Sequence, residues 1–282
     1  MSLQLLKTIC CLNENILEFN LLQFLKNNNY KVLYQPGDFI LAEGQLPVCL
    51  IAHMDTVFNL LPQEEDFLYD PEKQILWSPY GSGFDDRAGV AMIIKLINAG
   101  YRPSIIFTNG EEPGGIGASA LIKKYKKCPF KCNYLIELDR MGEKDCVFYS
   151  CGNQKFIDYI ESFGFEENLG SFSDISIIAP AWKIAAVNLS IGYIDEHSPS
   201  ERINLKWYSE IFNKVKAILD KAPSSKFYKY IHNDNEFFIG TKDKCFFCGK
   251  SLVKYIRIKE ANGMSFYCCP SCYKEFYDNE DT

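Results

Sequence analysis

The sequence lacks the features that mark membrane, secreted and nucleic-acid-binding proteins. No run of apolar residues approaches the roughly 18 that a membrane-spanning helix needs. Residues 1–15 contain neither a long apolar stretch nor a small-residue cleavage site, so we predict no signal peptide. The net charge of −6 at neutral pH argues against a broad basic surface for nucleic acid. These absences together predict a cytoplasmic globular protein with no membrane or nucleic-acid partner.

Histidine is scarce, with three residues in the 282 of the chain, whereas cysteine is abundant, with twelve. In a chain without a signal peptide, cysteines are more often metal ligands or reduced thiols than disulfides. Hydrophobic residues make up 47% of the chain, which is enough to build a core and excludes a wholly disordered protein. The length allows one large α/β domain and a small additional module.

Strands and helices are predicted to alternate along the first part of the chain. Apolar runs typical of buried parallel strands lie at 48–55, 104–109, 134–139 and 183–192. Periodicity predicts helices at 13–28, 86–98, 116–127 and 205–222, with two short strands around a turn at 31–43. This alternation predicts an α/β fold with a mostly parallel sheet sandwiched between helices. We expect this domain to cover 1–222, followed by a linker at 223–240 and a small module at 241–282.

Side chains with metal-binding or acid–base chemistry follow the predicted strands. They are His53, Asp55, Asp85, Glu111, Glu112, Asp139 and His197. Because ligands bind at the carboxyl ends of the strands in an open α/β sheet, we expect these side chains to converge. Imidazole and carboxylate suit zinc, and one carboxylate can bridge two metal ions through its two oxygens. His53 and Asp55 lie two residues apart on a strand and point the same way, so Asp55 can orient the His53 ring.

Five short motifs appear in a fixed order, each near a predicted strand end. They are H-M-D at 53–55, G-S-G-F-D-D-R-A-G at 81–89, G-E-E at 110–112, E-L-D at 137–139 and H-S-P-S-E at 197–201. This series resembles the signature blocks of the co-catalytic zinc exopeptidases, over about residues 13–222. The resemblance implies a zinc exopeptidase-like fold and hydrolysis of amide bonds by a metal-bridged hydroxide.

The same resemblance implies a role for each matching residue. Asp85 would bridge two zinc ions, with His53 and Asp139 completing one site and Glu112 and His197 completing the other. Cobalt or manganese could take the place of zinc, because His and carboxylate ligands accept all three metals.

Two further catalytic roles follow from the resemblance. Glu111 would be the general base that activates water and later protonates the leaving amine, and Asp55 would support His53. The residues alone leave alternatives open, since Asp85 or Asp86 could cap the following helix and Asp86 is the rival bridge. The Ser173-Asp174 dipeptide resembles a family dipeptide near the substrate pocket, or else forms a turn or a helix cap.

The last part of the chain carries a separate metal-binding pattern. Two C-x₂-C pairs place Cys245 and Cys248 before Cys269 and Cys272, a spacing typical of a structural four-cysteine zinc site. The pattern resembles a zinc ribbon with strands at 252–258 and 264–269, and Cys268 is the rival of Cys269. The remaining cysteines are predicted to be reduced thiols: Cys10, Cys11, Cys49, Cys128, Cys132, Cys146 and Cys151. Basic and acidic residues balance in this module, which favours a protein partner over nucleic acid. His232, in the predicted linker, is expected to be structural.

The stretch between the last two motifs decides between branches of the family. Residues 140–196 are too few for the lid or dimerisation domain that many members insert there, which favours a lid-free aminopeptidase and a monomer. The H-S-P-S-E block, in contrast, resembles lid-bearing branches. Because residues 140–196 leave no room for a lid, we expect an aminopeptidase-type exopeptidase acting on a peptide. The alternatives are a deacylase of a small non-peptide amide and a non-catalytic binding protein that recruits partners through the ribbon.

Overall fold

A computed structural model describes residues 3–233, 237–239, 245, 250, 256–259 and 264–276. The chain divides into two compact units, Met1–Ile231 and His232–Thr282. The first unit therefore extends beyond Ala222, into the stretch expected to be a linker. Tyr228 explains this extension, because its ring packs against Phe156 and Tyr159 with centroids 5.2 and 5.5 Å away.

The first unit contains the elements that position the site. Its helices are α1 (Leu3–Cys11), α2 (Glu14–Asn27), α3 (Phe84–Asn98), α4 (Ile116–Lys124), α5 (Gln154–Glu161), α6 (Asp174–Trp182) and α7 (Leu205–Lys221). Its strands are β1 (Lys31–Gln35), β2 (Phe39–Glu43), β3 (Leu46–His53), β4 (Leu68–Asp70), β5 (Ile75–Trp77), β6 (Pro103–Thr108), β7 (Tyr134–Arg140), β8 (Asp145–Val147), β9 (Glu166–Glu167), β10 (Ala186–Ser190), β11 (Tyr193–Ile194) and β12 (Arg202–Asn204). The strands and helices predicted for this unit are all present. The sequence analysis did not predict α1, α5 and α6 or the short strands β4, β5, β8, β9, β11 and β12.

The main sheet has eight strands in the order β1-β2-β6-β3-β7-β10-β8-β9. Its four central strands, β6, β3, β7 and β10, are parallel to one another. The hairpin of β1 and β2 adds an antiparallel edge, and β8 pairs antiparallel with β10 at the other side. The predicted α/β fold with a mostly parallel sheet is confirmed.

Both faces of the sheet are covered, which explains why its central strands carry apolar residues on both faces. Along β3, Val48, Leu50 and Ala52 belong to a core formed with α1, α2, α3, α5 and α7. The alternate residues Cys49 and Ile51 belong to a second core on the opposite face, formed with α4 and α6. A parallel sheet buried on both sides leaves only its strand ends for polar side chains.

A smaller sheet supports one side of the site. Its strands, in the order β11-β12-β5-β4, are antiparallel. Because β11 pairs directly with β12, the loop 195–201 between them is a hairpin connection that carries His197 and Glu201.

The second unit contains β13 (Phe237–Ile239), β14 (Ile256–Lys259), β15 (Met264–Cys268) and α8 (Pro270–Phe276). Strand β15 pairs antiparallel with β14 and parallel with β13. Residues 252–255, the first part of the strand predicted at 252–258, lie outside the described residues. Among the helices described in either unit, none is long and apolar enough to span a membrane.

Candidate metal centre and active site

Five of the seven predicted site residues end or follow central strands, whereas Asp85 lies at the start of α3 and His197 lies on the loop between β11 and β12. His53 is the last residue of β3, and Asp139 lies one residue before the end of β7. Glu111 and Glu112 follow the end of β6, and His197 lies on the hairpin loop after β11. The sheet topology therefore brings together groups that are far apart in sequence.

Asp85 lies at the centre of this cluster. Its Oδ1 is 3.2 Å from Nε2 of His53, and its Oδ2 is 3.1 Å from Nε2 of His197. A second carboxylate accompanies each imidazole: Asp139 Oδ1 is 3.5 Å from His53 Nε2, and Glu112 Oε2 is 3.0 Å from His197 Nε2. The two oxygens of one carboxylate thus face two separate pairs of donor groups.

Asp55 supports this arrangement from behind. One of its oxygens is 3.3 Å from Nδ1 of His53, on the side of the ring away from Asp85. Its carboxylate also accepts hydrogen bonds from the backbone N–H groups of Glu111 and Glu112, at 3.2 and 3.1 Å. Asp55 therefore fixes both the His53 ring and the turn that follows β6.

Asp86 is fully buried, and its carboxylate is engaged with the backbone. Oδ1 accepts a hydrogen bond from the N–H of Gly89 at 3.0 Å, which caps the regular part of α3. Oδ2 accepts one from the N–H of His53 at 3.1 Å. The Asp85–Asp86 peptide bond is cis. Asp86 also lies within 4.8 Å of possible metal-binding atoms of His53 and Asp139. Both of its oxygens, however, accept hydrogen bonds from backbone N–H groups.

Three buried groups that sequence reasoning did not assign hold the cluster in place. The Glu201 carboxylate accepts hydrogen bonds from the backbone N–H groups of residues 82, 84 and 85, at 3.2, 3.2 and 3.0 Å. The Asn188 side chain bonds both the N–H and the carbonyl of Asp139, at 2.9 and 2.8 Å. The Tyr193 hydroxyl donates to Oδ1 of Asp139 at 3.2 Å. Glu201 ends the H-S-P-S-E motif, so a signal for it was present in the sequence.

The charges in the cluster shift the pKa values of both histidines upward. Burial disfavours a charged His53, but the carboxylates of Asp139, Asp55 and Asp85 outweigh burial and hold its pKa well above the usual value. Hydrogen bonds with Asp85 and Glu112 raise the pKa of His197 to about 11. Burial would raise the pKa of Asp85, but its hydrogen bonds with His197 and His53 hold it below the usual value. The cluster therefore attracts positive charge.

The donor set fits divalent cations. Imidazole nitrogens and carboxylate oxygens converge in two groups, His53 with Asp85 and Glu112, and His53 with Asp86 and Asp139, whose atoms lie within 4.8 Å of one another. Oε1 of Glu112 is buried without a hydrogen-bond partner, as expected for an oxygen that serves a ligand. Two cations, one on each side of Asp85, would satisfy these groups.

Glu111 lines an open cavity of about 130 Å³ next to the cluster, together with Asp85, Asp139 and His197. Burial, together with the neighbouring carboxylates of Asp174, Asp85 and Glu112, raises the pKa of Glu111 to about 7 despite His53. Ser173 and Asp174 are fully buried and, among the described residues, do not line this cavity. His232 is the first residue of the second unit.

Three of the four predicted ribbon cysteines come together in the second unit. Sγ atoms of Cys245, Cys269 and Cys272 lie within 4.8 Å of one another, and Cys248 lies outside the described residues. The thiol of Cys268, in contrast, donates to the carbonyl of Cys269 at 3.2 Å. The cluster is compatible with a zinc ribbon and contains Cys269 rather than its rival. The seven cysteines predicted to be reduced are free thiols.

Three solved structures that share this fold are named as peptidases. A tripeptidase from Staphylococcus aureus is 13% identical, with a TM-score of 0.63 over 79% of this chain and 98% of that one. The aminopeptidase PepT from Bacillus cereus is 13% identical, with a TM-score of 0.61 over 77% and 96%. An aminopeptidase from the archaeon Desulfurococcus kamchatkensis is 15% identical, with a TM-score of 0.57 over 78% and 95%.

The first unit thus has the fold of the zinc exopeptidases, as its motifs predicted. No protein-family profile matches the sequence, and no curated protein matches it. The likeness is therefore one of structure and of the order of the motifs.

Proposed function

We propose that this protein is a metal-dependent hydrolase that cleaves amide bonds of peptides, as an aminopeptidase-type exopeptidase. The observation that carries the proposal is the position of Asp85. Its Oδ1 contacts His53, which Asp139 also approaches, and its Oδ2 contacts His197, which Glu112 also approaches. The aminopeptidases and the tripeptidase that share the fold support the reaction class.

The same five residues would hold two zinc ions, or cobalt or manganese in their place. Bound there, the ions would supply Lewis acidity for the attacking water and for the carbonyl group of the substrate. Asp85 would serve both ions. Asp55 would keep Nε2 of His53 directed at the metal by holding the opposite ring nitrogen.

We assign the general base to Glu111. Its carboxylate takes a proton from the attacking water and returns that proton to the nitrogen of the leaving amine. It lines the cavity beside Asp85 and His197, where a substrate amide would lie. A pKa raised to about 7 suits a group that gains and loses a proton near neutral pH.

Metal content and peptide hydrolysis, measured together, test this function. Wild-type protein should hold about three metal ions per chain, two at Asp85 and one at the cysteine cluster, and should trim a mixed peptide library. Asp85→Asn should hold about one ion and show no cleavage. Asp158→Asn, on the exposed face of α5, removes a carboxylate outside the site and should behave like the wild type.

The identity of the products separates the alternatives. Release of amino-terminal residues from free peptides supports an aminopeptidase, whereas hydrolysis of acylated amines alone would indicate a deacylase. One ion per chain in both wild type and Asp85→Asn, with no cleavage of either substrate type, would contradict the enzyme and favour a binding protein. We further propose that the second unit binds one structural zinc ion and contacts a protein partner. A mobility shift with nucleic acid at moderate salt would contradict that partner class.

A further inference from the structure

Arg140 lines the catalytic cavity beside the proposed metal ligands. It directly follows Asp139 on β7, and the same cavity of about 130 Å³ contacts Asp85, Glu111 and His197. Among the described residues that line this cavity, Arg140 is the only lysine or arginine. A permanent positive charge so close to the reacting groups requires an explanation, because the metal ligands themselves are acidic.

An irregularity in the sheet accounts for the position of Arg140. Successive residues of a strand point to opposite faces, so Asp139 and Arg140 would normally face apart. Here β7 has one residue more than β10, because Glu137 pairs with Asn188 and Arg140 pairs with Ser190. Such a bulge re-aims the side chains beside it. The Asn188 side chain accepts a hydrogen bond from the N–H of Asp139 and donates one to its carbonyl, and these two bonds replace the pairing that the bulge interrupts.

The guanidinium group of Arg140 is only partly satisfied within the protein. Its Nη2 donates to the carbonyl of Leu169 at 3.1 Å and lies 3.5 Å from Oδ2 of Asp145. Its Nε is buried without a partner, and the described contacts give Nη1 no acceptor either. Of the five N–H donors of arginine, those on Nε and Nη1 therefore have no acceptor among the described contacts.

The ion pair with Asp145 does not explain why an arginine is needed here. The two side chains are 22% and 31% exposed and meet only at 3.5 Å, and exposed pairs of this kind contribute little stability. Asp145 also accepts a shorter hydrogen bond of 2.8 Å from the side chain of Asn168. The contacts at Nη2 instead hold the guanidinium group in one orientation beside the cavity.

Building on the proposed peptidase function, we propose that Arg140 binds a carboxylate group of the substrate, within one residue of the amide bond that is cleaved. A guanidinium group recognises a carboxylate through paired, charge-assisted hydrogen bonds. The cavity is about the size of one small amino-acid residue, so a carboxylate on Arg140 and an amide at Asp85 lie close together. The carboxylate is either the carboxyl terminus of a dipeptide or an acidic side chain next to the cleaved bond.

Three substrates and two variants test this subsite. Alanyl-alanine has a terminal carboxylate, alanyl-alanine amide has none, and alanyl-aspartate α-amide carries its carboxylate on the side chain. Arg140→Gln should lower kcat/KM for a carboxylate substrate by about 10- to 100-fold, through KM, and change that of the neutral amide by less than about twofold. Arg140→Lys should restore part of the loss. Of the two substrates that carry a carboxylate, the one whose kcat/KM falls more in Arg140→Gln identifies the source of the carboxylate.

The control is Lys144→Gln, which removes a positive charge from an exposed side chain close by in the sequence and should leave all three substrates unchanged. An equal loss on the neutral and charged substrates in Arg140→Gln would overturn the proposal, because it would mean a structural role. Calorimetry with alanyl-alanine separates this outcome from failure of the peptidase proposal. If wild type cleaves nothing but binds the dipeptide more tightly than Arg140→Gln does, the subsite stands without the peptidase. Equal binding by the two proteins would overturn the subsite.

Discussion

The carboxylate of Glu201 accepts a hydrogen bond from the backbone N–H of Asp85, at 3.0 Å. The same carboxylate accepts the N–H groups of Ser82 and Phe84, and the Ser82 hydroxyl donates to the Glu201 carbonyl at 2.9 Å. One fully buried side chain from the hairpin loop thus holds the segment that presents the central ligand.

Glu201→Gln should therefore weaken metal binding without removing a ligand. The amide replaces one oxygen by an NH₂ group, so at least one of the three backbone N–H groups loses its acceptor and Asp85 shifts. We expect metal affinity and activity to fall by about 10- to 100-fold, measured by competition with a chromophoric chelator. Glu210→Gln, exposed on α7, is the matched control and should bind metal like the wild type. Unchanged affinity in Glu201→Gln would show that the loop holds its position without this carboxylate.

The positions of the metal-binding residues could be predicted because they depend on strand ends. The apolar runs that became β3, β6 and β7 mark buried parallel strands, and the carboxyl ends of such strands meet at one edge. His53 and Asp139 therefore came together as expected. Asp86 could also be anticipated, since capping is a local property of the start of a helix.

The remaining features depend on tertiary contacts that no local pattern shows. The bulge that turns Arg140 toward the cavity arises from pairing between β7 and β10, which are distant in sequence. Glu201 acts on backbone groups more than a hundred residues away, so its motif was visible but its role was not. Helix α5, in contrast, has a local pattern in the sequence, because Phe156, Ile157 and Ile160 show helical spacing after the capping residue Asn153. That helix has only 8 residues, too few for a clear period.

Asp174 should make the stability of the metal-free protein depend on pH. This carboxyl is fully buried at the start of α6, and burial raises its pKa to about 6 from 3.8. The folded state therefore keeps a proton that the unfolded state has released, so the contribution of Asp174 to stability falls as pH rises from about 4 to 6 and is constant above. Asp174→Asn removes this titration. As pH rises from about 4 to 6, the free energy of unfolding of Asp174→Asn should therefore increase relative to that of the wild type. The total increase should be on the order of 3 kcal/mol at most.

Urea denaturation of chelator-treated protein at several pH values measures this difference. Asp158→Asn, on the exposed surface of α5, should show no such trend. A difference between Asp174→Asn and wild type that is the same at pH 4 and pH 7 would mean that Asp174 is not the titrating group.

Arg87 should be required for the stability of the amino-terminal part of the fold. It is 1% exposed, and its Nη1 donates to the carbonyls of Ile9, Cys10 and Leu12 at and just beyond the end of α1. Its Nε donates to the carbonyl of Met54 at 3.3 Å, beside the site. Arg87→Met removes a donor from each of these carbonyls, and we expect it to lower the free energy of unfolding by at least about 2 kcal/mol.

Equilibrium denaturation with urea tests this expectation against an exposed cation. Lys31→Met removes an ion pair with Glu43 whose side chains are 75% and 42% exposed, and it should cost less than about 0.5 kcal/mol. Arg87→Lys should recover only part of the loss, because one ammonium group cannot reach all four carbonyls. Equal stability of Arg87→Met and wild type would show that water satisfies these carbonyls instead.

Two neighbouring cysteines should respond differently to the same substitution. Cys272→Ser removes a thiol that lies within 4.8 Å of those of Cys245 and Cys269, so it should release about one zinc ion per chain. Cys268→Ser is the matched control, because the Cys268 thiol donates to the carbonyl of Cys269 and a serine hydroxyl can do the same. Elemental analysis of the purified full chain measures both, and the two ions proposed at Asp85 should remain in each variant. Loss of zinc from Cys268→Ser but not from Cys272→Ser would contradict this assignment. Cys268 would then be a zinc ligand and Cys272 would not.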